Sequence, residues 1–90
     1  MEELPENFVI TVSDKLDCQS HQHFIDVSKV TLASFNILST GNQFGAGCSE
    51  YFFAVDPTKL DKFEMALIKQ MEQMKLQGFP TQYIHFRRYT

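Results

Sequence analysis

Cysteine and histidine crowd into one stretch of the chain, Cys18-Gln-Ser-His21-Gln-His23, and a second cysteine stands at Cys48. Thiolate and imidazole are good ligands for zinc or copper, and Asp17 or Cys48 would complete a four-coordinate set. In an extended segment His21 and His23 point the same way, as a His-x-His pair sharing a metal must. The fixed second half of a zinc ribbon is missing, however, and two cysteines are too few for a disulfide framework. The competing reading is a solvated polar loop at the start of a strand. On balance the sequence assigns no metal and no cofactor, with Cys18, His21 and His23 as the residues to check.

Cys48 and the histidines would also permit a Cys–His nucleophile. A small buried residue opening a strand is the commoner fate of a lone cysteine. No Ser–His–Asp spacing, paired-carboxylate motif or Gly-x-Ser-x-Gly elbow accompanies it. The expectation is a protein that binds rather than one that catalyses.

The C-terminal segment is richer. Alternation over Tyr83-Ile-His85-Phe-Arg87-Arg88-Tyr89 puts Tyr83, His85, Arg87 and Tyr89 on one face, and Ile84, Phe86 and Arg88 on the other. Rings beside a guanidinium and an imidazole suit single-stranded nucleic acid. They equally suit a protein interface, where Tyr and Arg are enriched. A plain edge strand kept soluble by arginine is the third reading. Eight Lys and Arg stand against eleven Asp and Glu, a formal charge of −3, which argues against a general nucleic-acid coat.

Gly41-Asn-Gln-Phe44-Gly45-Ala-Gly47 resembles a phosphate loop only in its glycines. It precedes a strand rather than a helix, and no Lys or Arg lies between Val30 and Thr58. A connecting loop using positive φ is the better account. Its Phe44 either folds back into the core or is presented to a partner.

Ninety residues make one domain spanning 1–90, large enough for one core without staples. Nine Phe and three Tyr supply its bulk. Residues 1–7 read as a flexible arm. Phe8–Val12 is a strand by its β-branched and aromatic content, Ser13–His21 a loop, and Gln22–Val27 a second strand. Ser28–Thr40 is ambiguous. Val, Thr, Phe and Ile favour a strand with a bulge near Ala33-Ser34, whereas Ser28 as N-cap and Gly41 past the end favour a helix. Ser49–Val55 is a strand with large apolar groups on both faces, as in a central strand. Asp56-Pro57 opens a helix over 57–77, closed by Gly78 and Pro80, and 82–89 returns as the final strand. The fold class is α+β: a two-layer sandwich of a mainly antiparallel sheet of four or five strands, with one long C-terminal helix on one face.

On that helix Leu60, Phe63, Leu67, Met71 and Met74 fall within an arc of roughly 80°, the stripe of a core-facing helix. Met65, Ile68 and Leu76 form a second apolar line outside the arc. Such a flank suits a second copy of the chain in a two-fold homodimer, or another protein, unless the Gly41–Gly47 loop or the arm covers it.

Met1–Asn7 carries three glutamates where a signal peptide would be basic. The longest unbroken apolar run, Tyr51–Val55, is far short of a span of about 20 residues. These features point to a cytoplasmic protein with reduced thiols and no membrane contact. The leading functional reading is a small non-enzymatic protein-binding module of adaptor, inhibitor or immunity type. The alternatives are a nucleic-acid-binding domain using the Tyr83/His85/Arg87/Tyr89 face, and a metal protein or enzyme using Cys18, His21, His23 and Cys48.

Overall fold

The computed structural model describes residues 5–37, 39–45 and 47–88. Its elements run β1 (Phe8–Ser13), α1 (Cys18–Ser34), β2 (Ser39–Gly45), β3 (Cys48–Phe53), α2 (Leu60–Leu76), a 3₁₀ turn (Thr81–Tyr83) and β4 (Ile84–Arg88). Among the described residues, four strands form one sheet in the order β2-β3-β1-β4, and every neighbouring pair is antiparallel. This is an α+β chain with the split β-α-β arrangement: β1 and β2 run the same way with β3 between them, as do β3 and β4 about β1.

Register divides the sheet into two faces. Phe8, Ile10 and Val12 of β1 lie opposite Phe53, Tyr51 and Ser49 of β3, and opposite Arg88, Phe86 and Ile84 of β4. Phe8, Ile10, Val12, Phe53 and Ile84 are buried together with Phe24 of α1 and Phe63, Leu67 and Met74 of α2, so this is the core face. The helices run antiparallel to each other, with contacts stepping from Phe35–Phe63 through Thr31–Gln70 to His23–Phe79. On the reverse face Val9 is enclosed as well, with Phe52 and Arg87 as its partners in register.

Four expectations need correction. The stretch read as loop, strand and ambiguous segment (Ser13–His21, Gln22–Val27, Ser28–Thr40) is mainly the helix α1, so the described residues form two 17-residue helices rather than one long C-terminal helix. Asp17 caps α1, its carboxylate accepting from the Ser20 N–H at 2.9 Å. The buried positions Ser20, Phe24 and Ser28 recur every four residues, a helical period. The segment Gly41–Gly47, read as a loop, instead supplies most of β2, leaving the turn into β3 to Gly47 at φ 84°.

The third correction concerns α2, which starts at Leu60 rather than residue 57. Asp56 is occupied by its own turn, accepting from the Thr58 N–H at 2.9 Å and the Thr58 hydroxyl at 2.8 Å. Those bonds, the backbone one first, hold its carboxyl below the usual range. The final strand is likewise shorter than 82–89, because Tyr83 ends the 3₁₀ turn.

Both helices stop by the same device. In α1 the Ile37 N–H reaches Leu32 O at 2.9 Å and the Asn36 N–H reaches Ala33 O at 3.1 Å, with Asn36 left-handed at φ 54°. In α2 the Phe79 N–H reaches Met74 O at 3.0 Å and the Gly78 N–H reaches Lys75 O at 3.0 Å, with Gly78 at φ 95°. These are Schellman closures, each followed by an apolar residue that folds back onto the core, Ile37 and Phe79.

Candidate functional site

Three surfaces carry chemistry that could meet a partner. The first is a pocket of about 270 Å³ between α1 and the core face beside β2. Its bed is apolar, made by Ile10, Phe24, Ile25, Leu32 and Phe53, with Lys29 of α1 and Asn42 of β2 exposed at its mouth. Strand β2 sets Asn42 opposite Tyr51 on the core face. A short polar side chain there leaves apolar bed uncovered, where a large one would fill it.

Beside this pocket His21 and Tyr51 share a hydrogen bond of 2.9 Å between Nε2 and the phenol oxygen, with the rings edge to face at 6.0 Å. Partial burial pushes the His21 pKa below 6.5 and the Tyr51 pKa above 10.0. A depressed histidine stabilises the fold above its unfolded-state value, and that contribution is lost as pH falls through the lower folded-state value. Between about pH 7.5 and about pH 5.5, the wild-type chain should therefore lose more stability than His21→Gln in paired denaturant melts. Equal losses would show that the ring is fully solvated.

The second surface is the reverse face of the sheet. Its rows run Glu50–Thr11–His85 and Phe52–Val9–Arg87, with His85 and Arg87 exposed. Tyr83 does not join them. It ends the 3₁₀ turn, half-buried against the core. Tyr89 lies outside the described residues. Ile84, Phe86 and Arg88 do take the core side, where Arg88 meets Asp61 at 2.7 Å and Glu64 at 3.1 Å. Hydrogen bonds to Glu64 and then Asp61 raise the already high Arg88 pKa.

The third surface is the outer flank of α2. Met65, Ile68 and Leu76 are 55%, 37% and 81% exposed. Ile68 borders a groove of about 240 Å³ whose floor is Met71, Ile84 and Phe86, between α2 and the edge strand β4. Phe44, at the far end of β2, is 70% exposed, so it does not fold back into the core.

The cysteine–histidine cluster disperses. A helix turns His21 and His23 about 200° apart rather than side by side. His21 goes to Tyr51, while His23 stacks on Phe79 at 4.3 Å and 7°. Cys18 is exposed on the first turn of α1, and Cys48 opens β3 opposite Ser13. Among the described residues, no three His, Cys, Asp or Glu side chains converge on a point that could hold a metal ion. Likewise no helix of the described residues is long and apolar enough to cross a membrane. Sequence reasoning missed the pocket between α1 and the sheet, since it exists only once 18–34 is a helix. No protein-family model, curated protein or solved structure matches this chain.

Proposed function

We propose that this chain is a small non-enzymatic protein-binding module that takes its partner along the outer flank of α2 and the groove beside β4. The observation that carries this reading is the exposure of Met65, Ile68 and Leu76 along one side of a helix whose opposite side is buried. Large apolar groups aligned next to a groove offer a partner desolvation and shape, and the methionines add adaptability. The packing fits a two-layer sandwich with both helices on the core face, so that this flank stays clear of the sheet. Free thiols at Cys18 and Cys48 suit the cytoplasm as its proposed location.

Nucleic acid is the weaker alternative. Its platform would have to work with His85 and Arg87 beside Glu50, and without the Tyr83 ring. Capture from the native host followed by reconstitution with the purified partner tests the proposal. Binding should persist from low to physiological salt and fall at least about tenfold in Met65→Lys/Leu76→Lys. Binding indifferent to those substitutions would overturn it. So would retention of single-stranded nucleic acid that weakens steeply with salt and needs Arg87.

A further inference from the structure

We infer that β2 is a self-association edge, at which Phe44 of each copy caps the α1 pocket of the other. Among the described residues, strand β2 lies at one end of the sheet, with β3 as its one neighbour. Its sequence, Ser-Thr-Gly-Asn-Gln-Phe-Gly, holds no charged residue and no proline, the groups that usually blunt an edge against pairing. The other edge, β4, is guarded by Arg87 and Arg88, which a two-fold pairing would bring close to the same arginines of a second copy.

The knob and the hole sit on the same strand. Asn42 and Phe44 are two residues apart with no bulge between them, so both stand on the core face, opposite Tyr51 and Ser49. Asn42 marks the mouth of the apolar pocket, and the Phe44 ring is 70% exposed. In an antiparallel β2–β2 pairing with its two-fold axis through residue 43, position 44 of one strand faces position 42 of the other. Directly opposed residues of such a pair have Cβ atoms about 5 Å apart. Each exposed ring then arrives at the pocket mouth of its neighbour, above Ile25, Leu32 and Phe53. Both contacts form from a single rotation, so the assembly closes as a dimer instead of growing into a fibre.

This interface is independent of the α2 flank, and the experiment separates the two. Light scattering of the full chain up to roughly 1 mM should show a monomer–dimer equilibrium. Phe44→Ser removes two anchors per dimer and should raise the dissociation constant about 100-fold, while the monomer keeps its far-ultraviolet dichroism because the ring is exposed. Met65→Lys/Leu76→Lys should leave the dimer intact. In a mixture of isotope-labelled and unlabelled chains, filtered Overhauser contacts should connect the Phe44 ring to Ile25 and Leu32 methyl groups across copies. A chain that stays monomeric at that concentration overturns the inference. A dimer that survives Phe44→Ser, or one without those cross-copy contacts, overturns it equally.

Discussion

Phe63→Ala is expected to remove about 3–5 kcal/mol of stability, the largest loss from any one side chain of this fold. The ring is fully buried at the junction of both helices and the sheet. It meets Phe8 at 5.2 Å and 72°, Phe35 at 5.6 Å and 75°, and Phe53 at 6.5 Å and 61°. Those are edge-to-face geometries, each worth about 0.5–1.5 kcal/mol beyond the area it buries. Truncation therefore removes the ring, opens a cavity among three others, and loosens α1 from α2 at once. A chain this size has roughly 5–13 kcal/mol to spend, so the variant should sit near the edge of folding. Its melting temperature should fall by about 12 °C or more, at roughly 4–8 °C per kcal/mol. Phe44→Ala is the control, expected to cost the monomer less than about 1 kcal/mol because its ring is already in water. A similar loss in both variants, or a Phe63→Ala loss under about 1.5 kcal/mol, would remove Phe63 from the centre of the core.

The helix that carries Phe63 is legible in the sequence, and the one packed beside it is not. Leu60, Phe63, Leu67, Met71 and Met74 spell a helical stripe in long, flexible apolar residues, and all five join or border the core. In α1 the corresponding line is Ser20, Phe24, Ser28 and Leu32, and half of it is serine. The reason is local: Ser28 is buried because its hydroxyl accepts from Gln70 Nε2 at 2.8 Å, while the Thr31 hydroxyl donates to Gln70 Oε1 at 3.0 Å. A polar seam between helices needs short hydroxyl side chains where a pattern reader looks for leucine. Ile25, Val27, Val30 and Thr31 added β-branched residues that pull the reading toward strand. The Asp17-x-x-Ser20 cap was the signal available, and it outranks composition here.

Misreading α1 also cost the site. With 18–34 extended, His21 and His23 share a face and suggest a metal, and Gly41–Gly47 becomes a loop. With it helical, the histidines part and Gly41–Gly45 joins the sheet as part of an edge. The residues that alternation did place correctly lie where a strand has one buried face and no competing helical option. Ile84, Phe86 and Arg88 on the core side of β4 are the instance. Tyr83 escaped that pattern because alternation cannot see where a strand begins. Pro80 and the 3₁₀ turn after it set that start.

Asn7→Ala is expected to cost about 2–4 kcal/mol, a large figure for a residue that the sequence places in a loose arm. Past the end of β3 the chain passes through Val55, which is fully enclosed. Asn7 continues the β1–β3 ladder with its own N–H to Phe53 O at 3.0 Å. Its side-chain amide then does for Val55 what a further peptide unit would do. Asn7 Nδ2 donates to Val55 O at 2.7 Å, and Asn7 Oδ1 accepts from the Val55 N–H at 2.9 Å. Alanine would leave a donor and an acceptor buried without partners, at about 1–3 kcal/mol each, partly offset where water reaches them. Asn7→Asp sharpens the test. Its carboxylate can still accept from the Val55 N–H, yet its second oxygen would face the Val55 carbonyl with no proton between them. Protonation supplies the missing donor, so the folded state should raise this carboxyl's pKa above its unfolded value near 4. A raised pKa means stability that is present below the unfolded value and lost as pH rises through the folded one. Asn7→Asp should therefore trail the wild type most at neutral pH and close the gap as the solution is acidified. A gap that widens on acidification, or an alanine variant within about 0.5 kcal/mol of wild type, would show that the amide does not hold the end of the strand.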